Sequence, residues 1–166
     1  MLVKEADMTS QSPNSTEPRL VTLEPATLAV VREKVPMKDL KAFFGRAFDA
    51  TYAAAQAQGI RVVGPPLGVY YSMPTDAVDV AAGFPTAGTV KPGGGVTAAN
   101  LPGGRAAQVL HRGPYDTMGQ TYHRLMAWLA EQGLKPAEVM WEYYLNEPSP
   151  DAPEATETLI TWPLAD

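Results

Sequence analysis

The chain has no cysteine. Disulfides, thiol nucleophiles and thiolate metal sites are therefore excluded, while the redox compartment stays open. It has two histidines, His111 and His123, and they do not stand in a metal-binding spacing such as His-Glu-x-x-His. No structural metal is expected, and no sequence signature calls for a cofactor. Basic residues are few: 13 Lys and Arg stand against 18 Asp and Glu, for a net charge of −5. With no basic patch in the sequence, the chain by itself is not expected to bind nucleic acid. No apolar run approaches the length of a membrane span, so no membrane partner is expected. The start lacks a basic segment followed by an apolar one, so no secretory leader is expected and cytoplasmic is the default location.

What is present fits one folded domain. The chain has 166 residues, 45% of them hydrophobic and 19% charged, enough for a single core. Its most informative stretch is residues 141–148, Trp-Glu-Tyr-Tyr-Leu-Asn-Glu-Pro. Aromatic and apolar, and stopped by Asn-Glu-Pro, it reads as a strand. Alternation puts Met140, Glu142 and Tyr144 on one face and Trp141, Tyr143 and Leu145 on the other. Large apolar side chains occupy both faces, so Glu142 needs a partner, a proton or a ligand.

In chain order, residues 1–19 are polar, charged and proline-containing, and read as a mobile tail. The domain is expected over residues 20–166. Residues 27–32 form a strand, and Asp39 is placed to cap a helix with an apolar stripe at Leu40, Phe44, Ala47, Phe48, Thr51 and Ala55. Gly59 ends that helix. Two strands follow, residues 67–72 and 78–84. Residues 86–104 are rich in glycine and proline and read as a connector with one short strand at 96–99. Its glycines lack a P-loop or dinucleotide pattern. The order then returns: a strand at 105–111, a helix capped by Asp116 or Thr117 and ended by Gly133, the strand holding Glu142, and a last strand at 156–162.

This return is an internal repeat. Gly59 to Pro74 aligns without a gap on Gly133 to Pro148, an offset of 133 − 59 = 74. Phe84-Pro85 meets Trp162-Pro163 at 163 − 85 = 78. The four extra residues fall in a hairpin turn. The expected fold is α+β: two β-α-β-β units, at 20–85 and 105–166, forming a pseudo-twofold antiparallel sheet with both helices on one face. Gly68 is the repeat counterpart of Glu142. A groove between the helices, with Glu142 and the empty space above Gly68 at its floor, is the candidate ligand site. Tyr70, Tyr144 and Met140 share the strand face of Glu142. Phe48, Tyr122 and Tyr115 are candidates from the helices and the turn, and Trp141 from the strand itself. His111 is read as fixing the Gly-Pro turn that follows it, and His123 and Glu147 as surface residues.

The order and spacing of His111-Arg-Gly-Pro-Tyr115, Trp128-Leu129 before Gly133, the stretch 141–148, Gly64-Pro65-Pro66 and Asp79-Val-Ala-Ala-Gly-Phe-Pro85 resemble the GyrI-like small-molecule-binding domains. These also serve as effector-binding domains of AraC- and MerR-type multidrug regulators. The resemblance implies the duplicated fold. It also implies a groove for lipophilic, often cationic ligands faced by a glutamate, here Glu142. Stand-alone relatives that hydrolyse cyclopropane-containing electrophiles imply a second reading, with Glu142 and Tyr144 as catalytic groups. A third is a protein-binding inhibitor of a topoisomerase. No helix-turn-helix segment is legible, so the chain is not expected to be a complete regulator of that type, and a separate regulator or target protein is left open as a partner.

Overall fold

The structure is a computed structural model that describes residues 16–147 and 149–165. Its elements are β1 (Arg19–Leu23), β2 (Ala26–Pro36), α1 (Leu40–Ala57), β3 (Leu67–Tyr70), β4 (Ala77–Pro85), β5 (Thr97–Leu101), β6 (Gly104–Arg112), α2 (Met118–Gln132), β7 (Met140–Tyr144) and β8 (Glu157–Pro163). All strands join one antiparallel sheet in the order β1-β6-β8-β7-β3-β4-β2-β5. The fold class is α+β, as the residue pattern implies. Among the described residues, no helix is long and apolar enough to cross a membrane.

The sheet centre lies between β3 and β7. There Leu67 pairs with Tyr143, Gly68 with Glu142, and Val69 with Trp141. Advancing a residue of β3 by 74 turns each of these pairs into another pair of the same ladder, and turns Gly68 and Glu142 into each other. A local twofold relation therefore passes between Gly68 and Glu142. The outer strands repeat at the other spacing. Leu28 pairs with Pro85 as Ala106 pairs with Pro163, and Leu67 with Gly83 as Trp141 with Thr161.

Strand β1 was not legible as a strand. Most of the expected tail, residues 1–15, lies outside the described residues, but Arg19 already belongs to the sheet. Its counterpart is β5, inside the stretch read as a connector: Val21 pairs with Ala106 and Ala99 with Leu28. Each unit is thus β-β-α-β-β, with its first strand added to the other unit. Two tight connections, Glu24-Pro25 and Pro102-Gly103, join opposite ends of the sheet. The sheet must curl for such short links to reach. On the face away from the helices, Leu23 and Leu101 from the two ends share a core with Leu67 and Trp141 from the centre.

Both helices cover the other face. α1 buries Phe43, Ala47, Thr51 and Ala55, against Val31, Val35, Val78, Val80 and Ala82. α2 lays Leu125 and Leu129 on Ala107, Val109, Met140 and Ile160. The start of each helix differs from expectation. A 3-10 turn precedes each, and neither Asp39 nor Thr117 caps with its side chain. The Thr117 hydroxyl donates instead to the Pro114 carbonyl at 2.9 Å. At the other ends, Gly59 and Gly133 adopt φ of +69°, which a glycine takes without a Cβ penalty.

Candidate functional site

Glu142 sits at the middle of the five-residue strand β7, flanked by Gly68 on β3 and Ile160 on β8. Its side chain faces the helices and is 6% exposed. Three phenols from three elements meet it. Tyr122 of α2 donates a short hydrogen bond to Oε2. Tyr144 of β7 donates to Oε1 at 2.9 Å. Tyr70 of β3 lies 3.4 Å from Oε1 and 3.0 Å from the Tyr144 hydroxyl. With the Tyr144 proton directed at the carboxylate, Tyr70 can donate to the Tyr144 oxygen, and the network is closed.

Burial pushes the Glu142 pKa up from the usual carboxylate value. The hydrogen bonds from Tyr122, Tyr144 and Tyr70, and the charge interaction with His111, pull it back in part. No lysine or arginine contributes. The phenols are raised too, first by burial and then by the Glu142 charge: Tyr70, Tyr122 and Tyr144 well above their usual value, Tyr115 less so. All four stay neutral through the physiological range.

An aromatic layer covers the acid. Tyr144 meets Phe44 at 5.7 Å between ring centroids, Phe48 at 6.3 Å and Tyr115 at 6.3 Å. Tyr122 meets Trp162 at 6.2 Å, and its hydroxyl lies 3.7 Å from the Met140 sulfur. The space expected above Gly68 is occupied. A Cβ there would come within 2.9 Å of both a Phe44 ring carbon and the Tyr144 hydroxyl. Two surface cavities, of about 340 and 500 Å³, lie elsewhere, and Glu142 lines neither. The rings leave Glu142 almost no open surface.

The structure brings together Glu142, Tyr144, Tyr70, Gly68, Met140, Tyr122, Tyr115 and Phe48. It sends Trp141 to the opposite face, 2% exposed in the core with Leu28 and Leu67. Strand parity alone implies that separation. Phe44 and Trp162 join the layer although neither was singled out for it. The repeat holds the signal for Phe44: it stands 78 residues before Tyr122, so its ring lies over Gly68 as Tyr122 lies over Glu142. The same place is apolar in one unit and acid-binding in the other. His111 is 4% exposed. Its Nε2 lies 2.9 Å from the Pro114 carbonyl and its Nδ1 2.7 Å from the Thr121 hydroxyl. Nε2–H donating to the carbonyl and Nδ1 accepting from Thr121 satisfy both, which ties down the turn. His123 and Glu147 are exposed. No group of three or more His, Asp or Glu that could hold a metal occurs among the described residues.

A curled antiparallel sheet with two helices on one face, and an acid at its centre under aromatic rings, defines an α+β ligand-binding architecture. The chain belongs to the GyrI-like family: the profile of the GyrI-like small molecule binding domain matches residues 16–165. No curated protein matches the sequence. Several solved structures share the fold. EcmrR in its complex with DNA has 19% identity and a TM-score of 0.78 over 90% of this chain, which spans 57% of the EcmrR chain. A hydrolase from Listeria innocua has 15% identity and a TM-score of 0.62, covering 96% of both chains. SAV2435, solved bound to tetraphenylphosphonium, has 13% identity and a TM-score of 0.61, over 90% of this chain and 94% of that one.

Proposed function

We propose that this small-molecule-binding domain holds a lipophilic organic cation, with Glu142 as its counter-charge. The carrying observation is a buried carboxylate bonded by three neutral hydroxyls, with no lysine or arginine among the groups that set its acidity. Burial leaves such an acid short of positive charge. An organic cation supplies that charge, and the rings of Phe44, Phe48 and Tyr115 supply faces that attract it. SAV2435 supports the reading, because tetraphenylphosphonium is itself a lipophilic cation. Sensing and sequestration both fit a binder of this kind. Calorimetry with phenyltrimethylammonium and its neutral isostere tert-butylbenzene tests the proposal. The cation should bind saturably and more tightly. Equal affinities would remove the charge argument.

The raised Glu142 pKa sets a pH dependence. Cation affinity is expected to be full above it and to fall about tenfold per pH unit below it, because a proton and the ligand compete for one carboxylate. Titration of phenyltrimethylammonium binding from roughly pH 4 to pH 9 reads this. The other titratable groups facing Glu142 are Tyr70, Tyr115, Tyr122, Tyr144 and His111. The phenols stay neutral throughout. A pH dependence that persists in Glu142→Gln would count against the acid.

A further inference from the structure

A cavity of about 340 Å³ opens between β6 and α2, and Glu142 does not line it. β1 covers the edge of β6 only as far as Gln108, so His111 and Arg112 lie beyond its end. These two line the cavity on the sheet side. Thr117, Gln120, Thr121 and Arg124 line it on the helix side. Their spacing puts Thr117, Thr121 and Arg124 on one face of the helix. None of the lining residues is acidic. In a chain of net charge −5, two arginines on one cavity without an acid are not a consequence of composition.

The repeat supplies a comparison within the same molecule. At the offset 124 − 46 = 78, Arg124 corresponds to Arg46, His111 to Glu33 and Thr121 to Phe43. In the first unit the arginine is satisfied. The Arg46 guanidinium donates to both Glu33 oxygens, at 2.9 and 3.4 Å, and lies 5.4 Å from the Phe43 ring centroid. The second unit keeps the arginine and replaces both partners. Among the described residues Arg124 donates to neutral groups, the Thr16 carbonyl at 3.3 Å and the Thr121 hydroxyl at 3.4 Å. His111, at the position of the acid, is buried and engaged by Pro114 and Thr121. Arg112 donates to one oxygen of Glu157 through Nε and Nη2, at 3.1 and 2.6 Å. What Arg124 lacks, an anion supplies.

We propose that this cavity binds a phosphate-type oxyanion, with Arg124 as its counter-charge and Gln120 and Arg112 as further donors. The anion takes the part in the second unit that Glu33 plays in the first. A guanidinium presents paired donors that match phosphate oxygens. The first turn of α2 closes the same cavity, and the positive end of its dipole adds to the two guanidiniums. Donors from a strand and a helix approach from different sides, which suits a tetrahedral oxyanion better than a planar carboxylate. The cavity opens to the surface, so the phosphate is either the free ion or the end of a phosphomonoester.

The experiment is an NMR titration of the imidazole resonances with inorganic phosphate, glycerol 3-phosphate and acetate, at constant pH and ionic strength. Two histidines make the readout local, because His111 lines the cavity and His123 does not. Phosphate should shift His111 saturably, with a Kd on the order of 1 mM, and leave His123 nearly unmoved. Acetate should bind about tenfold more weakly. Arg124→Gln, at an exposed position, should keep the native Tm and weaken phosphate about tenfold. Arg46→Gln is the control. It makes the same change in net charge in the other unit and should leave phosphate binding within about twofold. Tighter glycerol 3-phosphate would identify a phosphomonoester as the ligand, and tighter inorganic phosphate the free ion. No saturable shift of His111, equal shifts of both histidines, or equal loss in Arg46→Gln and Arg124→Gln would overturn the site. Acetate binding as tight as that of phosphate would overturn the tetrahedral class.

Discussion

Glu142→Gln is expected to weaken phenyltrimethylammonium about a hundredfold near pH 8, and to leave tert-butylbenzene within about threefold. An opposite charge at contact distance in a mostly dry site contributes on this scale. Glutamine keeps the shape of the acid and can keep its hydrogen bonds. Its carbonyl accepts from Tyr122, and its amide donates to the Tyr144 oxygen, whose own proton then turns to Tyr70. The variant should therefore fold, and its stability carries a second signature. The folded-state pKa of Glu142 is raised above the unfolded value, so the folded protein binds the extra proton between the two. The contribution of Glu142 to stability is thus full below the unfolded value and is lost as pH rises through the raised one. Removing the charge should raise Tm at high pH and much less at low pH. Calorimetry and thermal melts at both ends of the range check the two signatures. Equal loss of both ligands would leave Glu142 as a shape-bearing residue only.

The parts of this molecule that were legible in the sequence are those written in local periodicity. Glu142 stood out because an acid in an aromatic strand is unusual, and parity placed Met140, Tyr144 and Trp141 correctly on their two faces. The repeat that makes Gly68 the counterpart of Glu142 was legible too, because the same glycine, proline and tyrosine spacing occurs twice; that the two also pair across β3 and β7 was not. Strand β1 was hidden by its composition. Arg-Leu-Val-Thr-Leu lies between Pro18 and Pro25, reads as the end of a polar segment, and pairs with β6 across more than eighty residues of chain. Only its match with β5 could have exposed it, and β5 is itself flanked by glycine and proline. The filled groove was not legible for another reason. Whether a space stays open depends on how Phe44 and Tyr144, from different units, pack over Gly68, and no local pattern encodes that contact. Trp141 shows the converse error: being aromatic and next to Glu142 in the chain says less than the period of a strand.

Two glycines separate backbone that cannot yield from side chains that can. Gly83→Ala places a Cβ 1.8 Å from the Ala29 carbonyl oxygen and 2.9 Å from the Val30 Cα. Both obstacles are backbone, inside the β2–β4 pairing. Neither can turn aside, so the strands must part where the core of α1 rests on them. The expected cost is about 3 kcal/mol or more, a fall in Tm of roughly 6–12 °C for a chain of this size. Gly68→Ala meets contacts nearly as short on paper, 2.9 Å to a Phe44 ring carbon and 2.9 Å to the Tyr144 hydroxyl. These are the far ends of side chains, which can turn aside. Its cost should stay within about 1 kcal/mol, a few degrees in Tm. Melting curves of the two variants, side by side with the native protein, decide the point. Should Gly68→Ala cost as much as Gly83→Ala, the rings above the twofold axis would be as immobile as backbone. A ligand could not then reach Glu142 by moving either ring.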